Sequence, residues 1–344
     1  MTTNISSEWL VCPRTHERLS SDGNELISPS GARYPVVEEI PVMLTGEAKA
    51  TIGVADLSLR TAREIVAGRE AGDGFYLQTI GLSPKDREAA QADWERGGWK
   101  VDPAASHLVA AAGGFMYKHL QGKLPDYPIP EFPMKLRSGD KVLDVGCNWG
   151  RWSLAAARCG AMVTGIDPSL GAVAAMRRVA KQLGIKVRGV VGDARSLPFA
   201  ANSFDVVYSY SVLQHFAKDD ARAAFAEMAR VLKPGGTLLV QMPLKTGIRC
   251  LQHQLRRGFR EPVNFEVRYW SIGELRRALA PLLERPRFFV DCFFGIGIRP
   301  EDASLMTQGL KVVVGASEFL RRFSMVFPPL VHVADSVFVS AIKR

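Results

Sequence analysis

The chain has 344 residues, is 47% hydrophobic and carries a formal net charge of +9. It is long enough to bury a full core and leaves room for more than one domain. Its five cysteines show no paired spacing, which excludes a disulfide scaffold and favours a reducing compartment. No secretory signal is visible, and no apolar run approaches the roughly 20 residues that span a bilayer. We therefore predict a cytoplasmic protein.

Residues 1–46 form the first predicted unit. Cys12 is followed by proline, YPV occurs at 34–36 and IPVML at 40–44. These segments resemble the Trm112-like or zinc-ribbon module, whose usual form has two cysteine pairs followed by YPI and GIPVML. In its free-standing form that module activates methyltransferases of the translation machinery. The resemblance implies a part of the chain that packs or docks.

Three of the four metal-binding positions of that module are lost here. Thr15 stands at the second cysteine position, Ser28 stands at the third, and the fourth falls near Ser30 and Gly31. One thiolate cannot form a closed tetrahedral zinc site. We therefore predict that residues 1–46 fold without a metal.

Residues 47–138 are predicted to be mainly helical and to form a cap. The segments DLSLRTAREIVAGREA and PKDREAAQADWERGGW are helix candidates, and PAASHLVAAAGGFMYKHL is a third that a glycine pair interrupts. The last part of this region, LPDYPIPEFPMKL, is too rich in proline for regular structure.

Near the start of the segment at 139–344, residues 142–150 read VLDVGCNWG, in which a buried strand ending at Asp144 runs into a glycine turn. The alanine-rich stretch that follows is helical in character, so Gly146 and Gly150 lie where a strand becomes a helix. Glycine permits positive φ and a close approach of a ligand to the backbone, and the helix start offers unpaired N–H groups. The turn is therefore predicted to bind a ligand.

Acidic residues end the next two predicted strands. Asp167, 23 residues after Asp144, ends AMVTGID, and Asp193 ends VRGVVGD. A carboxylate at the tip of the second strand is where a doubly wound fold binds ribose hydroxyls. A fourth strand follows in NSFDVVYSYSVLQHF, and a fifth follows the Pro-Gly-Gly turn of RVLKPGGTLLVQMP.

From Val142 to Pro243 this succession resembles the class I S-adenosylmethionine (SAM) dependent methyltransferases, particularly the branch that acts on small molecules and lipids. The resemblance implies an α/β, Rossmann-like fold with a seven-stranded sheet whose last strand is antiparallel. It also implies SAM as the cofactor and S-adenosylhomocysteine as the product, with no metal. The 1–46 module and the helical cap at 47–138 would precede this domain.

The same resemblance assigns the cofactor-binding residues. Asp144, Gly146 and Gly150 would frame the methionine part of SAM. Asp167 would bind the ribose, and Asp193 the adenine amino group. The other residues expected to contact the cofactor are Cys147, Asn148, Pro168, Ala194 and Ser209.

The C-terminal part is predicted to supply a helix in YWSIGELRRALAPLL, a sixth strand in RPRFFVDCFFGIGI and a seventh in ADSVFVSAIKR. Residues 245–287 contain ten Lys or Arg and four Glu, a net charge of +6. This segment suits an anionic acceptor, a membrane headgroup layer or RNA, or it is simply a solvated helix face. An insertion at 299–329 carries SEFLRRFSMVF, which either rests on the inner membrane face or closes a pocket.

A hydroxyl acceptor must be held in line with the methyl group and must lose its proton. His215, just past the tip of the fourth strand, is the predicted base because its ordinary pKa lies near the working pH. The alternative for His215 is a hydrogen bond to a loop carbonyl. Tyr210 joins it as a catalytic residue. Gln214, Tyr117 and His253 are the predicted acceptor-binding residues, and the last two are also weaker candidates for the base.

We therefore predict a SAM-dependent methyltransferase that methylates an oxygen of a small-molecule, glycan or lipid-linked acceptor. The fourth strand has neither an N/D-P-P-Y/F motif for planar nitrogens nor a Cys-Pro pair for attack on a pyrimidine. These absences favour a hydroxyl, or else a carbon, on a smaller acceptor and make nucleic acid the weaker choice. Two alternatives stay open. One is an RNA or protein methyltransferase, supported by the 1–46 module and the basic segment, and the other is a non-catalytic SAM-binding scaffold.

Overall fold

The computed structural model describes residues 9–45, 53–69, 75–112, 114–295, 297 and 299–344. The chain start, where we predict no secretory signal, and the predicted boundary between residues 46 and 47 lie outside these ranges. The chain divides into two compact units, Met1–Phe204 and Asp205–Arg344. Within the described ranges, no helix is both long enough and apolar enough to cross a bilayer.

The strands form a small and a large sheet. The small sheet consists of β1 (Ser20–Asp22), β2 (Glu25–Ile27), β3 (Arg33–Val37) and β4 (Ile40–Pro41), in that order. The large sheet consists of β5 (Lys141–Val145), β6 (Met162–Asp167), β7 (Val187–Val191), β8 (Phe204–Ser209), β9 (Leu232–Pro243), β10 (Glu284–Cys292) and β11 (Ser336–Ile342). Its strand order is β10-β11-β9-β8-β5-β6-β7.

Strand directions in the large sheet agree with the predicted fold class. β5, β6 and β7 are parallel, which brings Asp144 beside Gly165 and Asp167 beside Val191. β11 is antiparallel to both β9 and β10. The predicted α/β, Rossmann-like fold with a seven-stranded sheet and an antiparallel last strand is therefore confirmed.

Helices precede and alternate with the strands of the large sheet. Those before β5 are α1 (Val54–Val66), α2 (Phe75–Gln78), α3 (Pro84–Arg96) and α4 (Pro103–Ala112). Those after it are α5 (Arg151–Arg158), α6 (Leu170–Gln182), α7 (Lys218–Val231), α8 (Ile248–Arg256), α9 (Ile272–Leu279) and α10 (Gln308–Phe323). Short 3-10 helices occupy Gly114–Leu120, Leu213–His215, Pro300–Leu305 and Pro328–Val333. The predicted insertion at 299–329 thus contains one 3-10 segment, α10 and the start of the last 3-10 segment.

The small sheet closes the β7 edge of the large one. Val42, just after β4, forms a parallel bridge with Val191, and the Met43 N–H donates to the Val191 carbonyl at 2.7 Å. Val37, Ile40 and Val42 pack in one hydrophobic cluster with side chains of α1 and α6. Because an edge strand otherwise exposes unpaired backbone groups, this contact protects the sheet from pairing with another chain.

Hydrogen bonds connect Cys12 and Ser28, two of the residues at the predicted metal positions, to their neighbours. The Cys12 sulfur lies 3.1 Å from the Tyr34 hydroxyl. The Ser28 hydroxyl lies 2.9 Å from that of Ser30 and accepts from the Ala32 N–H at 3.0 Å. Among the described residues, no group of three or more His, Cys, Asp or Glu could hold a metal ion.

The first turn of α6 is held by residues that precede the large sheet. The Ser169 hydroxyl donates to the Thr79 carbonyl at 2.5 Å. The Leu170 N–H donates to the Ser58 hydroxyl at 3.0 Å, and the Gly171 N–H donates to the Thr79 hydroxyl at 2.7 Å. The bonds from Leu170 and Gly171 satisfy N–H groups that a helix start leaves unpaired. They also fix the loop that follows Asp167.

Arg178, farther along α6, contacts the helices of the predicted cap. The Arg178 Nε donates to the carboxylate of Asp102, which is fully buried, at 2.6 Å. The same guanidinium lies 4.7 Å from the ring centroid of Trp94 and 5.5 Å from that of Tyr76. Arg178 therefore contacts α2, α3 and the residue before α4 at once.

Replacing Gly171 by alanine should destabilise the protein, because an added Cβ would collide with the Tyr76 carbonyl oxygen and the Ile80 side chain. Overpacking of this kind costs about 1–3 kcal/mol. Gly315→Ala is the matched control, since nothing lies within 4 Å of a Cβ at this α10 position. That variant should gain up to about 1 kcal/mol from helix propensity. Denaturant unfolding measures both, and a Gly171→Ala protein as stable as wild type would contradict the close packing of α6.

Candidate functional site

The glycine turn joins the end of β5 to the start of α5. Gly146 and Gly150 have φ values of +79° and +91°, in the region that favours glycine. Gly150 caps α5, and a Cβ there would collide with the Met176 side chain. The N–H groups of Gly146 and Cys147 donate to the Ile166 carbonyl at 2.8 and 3.1 Å. The turn therefore requires glycine at both predicted positions and is bound to the end of β6.

Asp167 connects the glycine turn to the loop after β6. One carboxylate oxygen accepts from the Asn148 N–H at 3.0 Å, and the other accepts from the Ser169 N–H at 2.9 Å. Burial raises the pKa of Asp167 from 3.8 to about 6, although both N–H bonds oppose this shift. Each oxygen keeps a second lone pair, so two further donors can bind. Pro168 beside it is half-buried.

Asp144, 3% exposed, is a second buried carboxyl group in the same unit. It accepts from the Ser153 hydroxyl on α5 at 2.6 Å. Burial, together with the charge of Asp167, raises the pKa of Asp144 from 3.8 to about 7, although the bond from Ser153 opposes this shift. A cationic ligand close to these two carboxyls would favour their ionised forms.

Cys147 and Trp149 pack inside the turn. Burial holds the pKa of the Cys147 thiol well above its ordinary value, and a protonated thiol is a poor nucleophile. A Cβ at Gly165 would lie 2.8 Å from its sulfur, so glycine leaves room for it. Trp149 stacks on Tyr127 with ring centroids 5.9 Å apart. Cys147 and Trp149 are therefore accommodated by a neighbouring glycine and a neighbouring aromatic ring.

Asp193 has a partner that the sequence analysis missed. Arg195 Nε donates to one carboxylate oxygen at 3.0 Å, and its Nη2 donates to the other at 2.6 Å. Ala194 between them is buried. An adenine amino group would have to share this carboxylate with Arg195. The short spacing in Asp193-Ala194-Arg195 is the signal that could have revealed the pair.

In the second unit, Tyr210 lies one residue past β8 and belongs to a buried polar network. Its hydroxyl donates to the Asp291 carboxylate at 3.3 Å. Arg299 and the Ser336 hydroxyl donate to the same carboxylate, both at 2.6 Å. Sequence reasoning missed Asp291 and Arg299, although an aspartate inside an apolar strand was a signal. Ser209, the last residue of β8, is fully buried.

His215 makes the hydrogen bond to a loop carbonyl that was its alternative role. Its ring stacks on Phe265 with centroids 3.7 Å apart, and its Nδ1 lies 2.7 Å from the Phe265 carbonyl oxygen. Because a carbonyl can only accept, Nδ1 carries the proton and Nε2 keeps a lone pair. Burial lowers the pKa of His215 to about 4, and the charge of Arg268 contributes. The pKa of His215 in the folded protein therefore lies below the ordinary value on which its choice as the base rested.

Two of the predicted acceptor-binding residues lie in the second unit. The Gln214 side-chain nitrogen is 3.3 Å from His215 Nε2, so these two residues are brought together. His253 is exposed on α8, and its Nδ1 lies 2.7 Å from the Tyr269 hydroxyl. His253 therefore has a different partner from His215.

Tyr117, the third predicted acceptor-binding residue, lies in the first unit. It is only 2% exposed, and its hydroxyl accepts from Arg151 at 3.1 Å. The Arg151 guanidinium also lies 5.4 Å from the Tyr117 ring centroid and 5.7 Å from that of Trp152. Tyr117 therefore lies beside Arg151, the first residue of α5, directly after the glycine turn.

Comparisons with known proteins cover the central part of the chain. Residues 142–236 match a family model described as a methyltransferase domain. Methyltransferase GfsG of Streptomyces halstedii is 33% identical over 175 residues, which cover 50% of this chain and 57% of that protein. The ubiquinone biosynthesis O-methyltransferase of Rhizobium leguminosarum is 36% identical over 102 residues, which cover 30% of this chain and 40% of that protein. The YcgJ protein of Bacillus subtilis, a solved structure, has a TM-score of 0.43 and 21% identity and covers 61% of this chain and 94% of that one.

The chain thus spans about half the length of the relatives it matches. The matched residues 142–236 include the glycine turn, Asp167, Asp193 and His215. The chain therefore contains a methyltransferase domain of the SAM-dependent class. The 1–46 module lies outside this match, and its resemblance stays a prediction.

The raised pKa of Asp144 should make stability depend on pH. A carboxyl group whose pKa is about 7 when folded and about 3.9 when unfolded holds its proton more tightly in the folded state. Its stabilising contribution is therefore present at low pH and lost as pH rises from about 4 to about 7. Asp144→Asn should remove this decline, gaining at least about 1 kcal/mol over wild type between pH 5 and pH 8. Denaturant unfolding at the two pH values is the measurement, and parallel changes in both proteins would contradict the assignment.

Proposed function

We propose that this chain is a SAM-dependent methyltransferase that methylates an oxygen atom of a small-molecule, glycan or lipid-linked acceptor. The observation that carries the proposal is the bond between the Asn148 N–H and the Asp167 carboxylate. It fixes the position of the glycine turn relative to Asp167 at the end of β6. The resemblance assigns both Asn148 and Asp167 to SAM binding.

The residues of the first unit fit this cofactor. Of the three left-handed positions in the turn, Gly146 and Gly150 have no Cβ and Asn148 has one. The two glycines leave the backbone open to close approach at both ends of the turn. Asp167 has lone pairs for two ribose hydroxyls. Asp144 and Asp167 add negative charge near a ligand that carries a sulfonium. When bound, SAM supplies an activated methyl group, so the protein's own task is to position the acceptor.

His215 and Gln214 are the residues that we propose to orient the acceptor hydroxyl. With Nδ1 bound to the Phe265 carbonyl, His215 Nε2 is a hydrogen-bond acceptor. The Gln214 amide lies 3.3 Å from it, so an acceptor hydroxyl would replace that amide as the donor to Nε2. A pKa of about 4 keeps the ring neutral at pH 7 but makes it a weak base. We therefore propose that His215 acts mainly by holding the hydroxyl. Tyr210, within the Asp291 network, would line the same end of β8.

Two observations bear on the acceptor class. The relative from Rhizobium leguminosarum is named an O-methyltransferase of ubiquinone biosynthesis, in line with an oxygen on a small lipophilic molecule. In the basic segment at 245–287, Arg268 donates to the backbone carbonyls of His215 and Pro262, and Arg260 pairs with Glu266 at 2.5 Å. These cations hold the protein's own loop, which reduces the charge available for RNA.

Asp167→Asn should weaken SAM binding at least ten-fold, because hydrogen bonds to a charged group contribute about 1.5–3 kcal/mol. Since the pKa of Asp167 is about 6, wild-type affinity should rise between pH 5 and pH 7.5 as the carboxylate ionises. The variant should lack this rise. Isothermal titration calorimetry measures both effects, with circular dichroism to check folding. Equal wild-type affinity at the two pH values would argue against Asp167 as the ribose ligand.

His215→Ala should lower turnover about 100-fold while SAM affinity stays nearly intact, because it removes an orienting contact to the acceptor. His215→Gln separates orientation from base catalysis. An amide oxygen accepts a hydrogen bond but no proton, so the glutamine variant should retain more activity than the alanine variant. Single-turnover transfer of labelled methyl to the acceptor-containing fraction of a host extract measures both. Unchanged turnover in His215→Ala would remove this residue from the mechanism.

A further inference from the structure

Exposed apolar side chains are concentrated in two segments of the second unit. Among the described residues, thirteen of the sixteen exposed large hydrophobic side chains lie within 248–265 or 312–333. Single exposed apolar residues are ordinary on a protein surface. Groups of exposed apolar side chains, by contrast, are typical of sites that bind a partner or a membrane. We refer to these two segments together as the apolar surface.

The first segment is an amphipathic helix with its apolar side outward. Ile248, Leu251 and Leu255 of α8 are 55%, 43% and 57% exposed, and their i, i+3, i+7 spacing puts them on one face. Residues 248–260 contain four arginines and no acidic residue. Within the described part of the chain, the side chains of Arg249 and Arg256 have no ion pair or hydrogen bond. Their charges are therefore available to an external partner.

The second segment ends in an apolar projection. The rings of Phe319, Phe323 and Phe327 stack in sequence, with centroids 6.3 and 6.2 Å apart. Met325 and Val326 between them are 71% and 80% exposed. No acidic residue occurs from 319 to 334. The three rings are themselves 68%, 46% and 50% exposed, so this segment presents apolar side chains to solvent.

A buried carboxylate joins the two segments. Asp335 accepts from the N–H groups of Arg249 and Cys250 at 2.7 and 3.0 Å, so it caps the start of α8. The Thr246 hydroxyl donates to the His332 carbonyl beside it. The start of α8 and the end of the 312–333 segment therefore lie next to each other.

We propose that the apolar surface docks on the face of an anionic lipid bilayer. Such a face takes exposed apolar side chains into its interfacial layer and attracts arginines through its phosphates. A second copy of the chain is the poorer partner, because a two-fold interface would bring the arginines of α8 against one another. RNA would leave Val326 and the stacked phenylalanines uncovered.

Vesicle flotation tests this proposal with the full chain and without SAM, so its outcome is independent of methyl transfer. The protein should bind vesicles of phosphatidylcholine with phosphatidylglycerol, bind phosphatidylcholine alone more weakly, and lose affinity as salt rises. Val326→Glu should reduce binding about ten-fold or more. The double variant Arg249→Gln/Arg256→Gln should lose only the part of vesicle binding that depends on the anionic lipid. Met162→Glu, which alters an exposed methionine of β6 in the first unit, is the control and should bind as wild type.

Several results would overturn the proposal. The first is that the wild-type protein does not bind anionic vesicles. The second is that Val326→Glu binds them as well as wild type does. A wild-type dimer that Val326→Glu dissociates, without vesicle binding, would assign the surface to a second copy. RNA binding that Val326→Glu leaves unchanged, again without vesicle binding, would assign the arginines to nucleic acid.

Discussion

The close packing of the first turn of α6 is the constraint on which the proposed cofactor site depends. Ser169, Leu170 and Gly171 bond Ser58 and Thr79, two residues that precede the large sheet by more than sixty positions. The contact is tight enough that only glycine fits at 171. Asp167 lies immediately before this turn, and its carboxylate then holds Asn148. The helical region thus holds the residues that directly follow the acidic tip of β6.

Much of the fold follows from local sequence pattern. Alternation of apolar strands with helical segments, a glycine turn after the first strand and acidic strand tips suffice to predict a doubly wound sheet. Gly146 and Gly150 have the left-handed conformation that their place in the turn requires. These features are predictable because each depends on residues within a few positions of one another.

Contacts between distant segments were not predictable in the same way. The pairing of Tyr210 with Asp291 depends on where β10 lies relative to the end of β8. The lowered pKa of His215 follows from burial beneath Phe265, fifty residues away in the chain. A periodic pattern carries no information about such partners. Asp193 and Arg195 are the exception, since their charges lie two residues apart and the pair could have been predicted.

The central claim is that the glycine turn and Asp167 bind SAM for transfer of its methyl group to a small acceptor. The most direct measurement incubates the protein and its Asp167→Asn variant with methyl-labelled SAM and an extract of the native host. RNA, protein, organic-soluble lipid and aqueous metabolites are then separated. The account predicts label in the lipid or metabolite fraction, strongly reduced in the variant. Label in RNA or protein, or none in any fraction while SAM is bound, would contradict it.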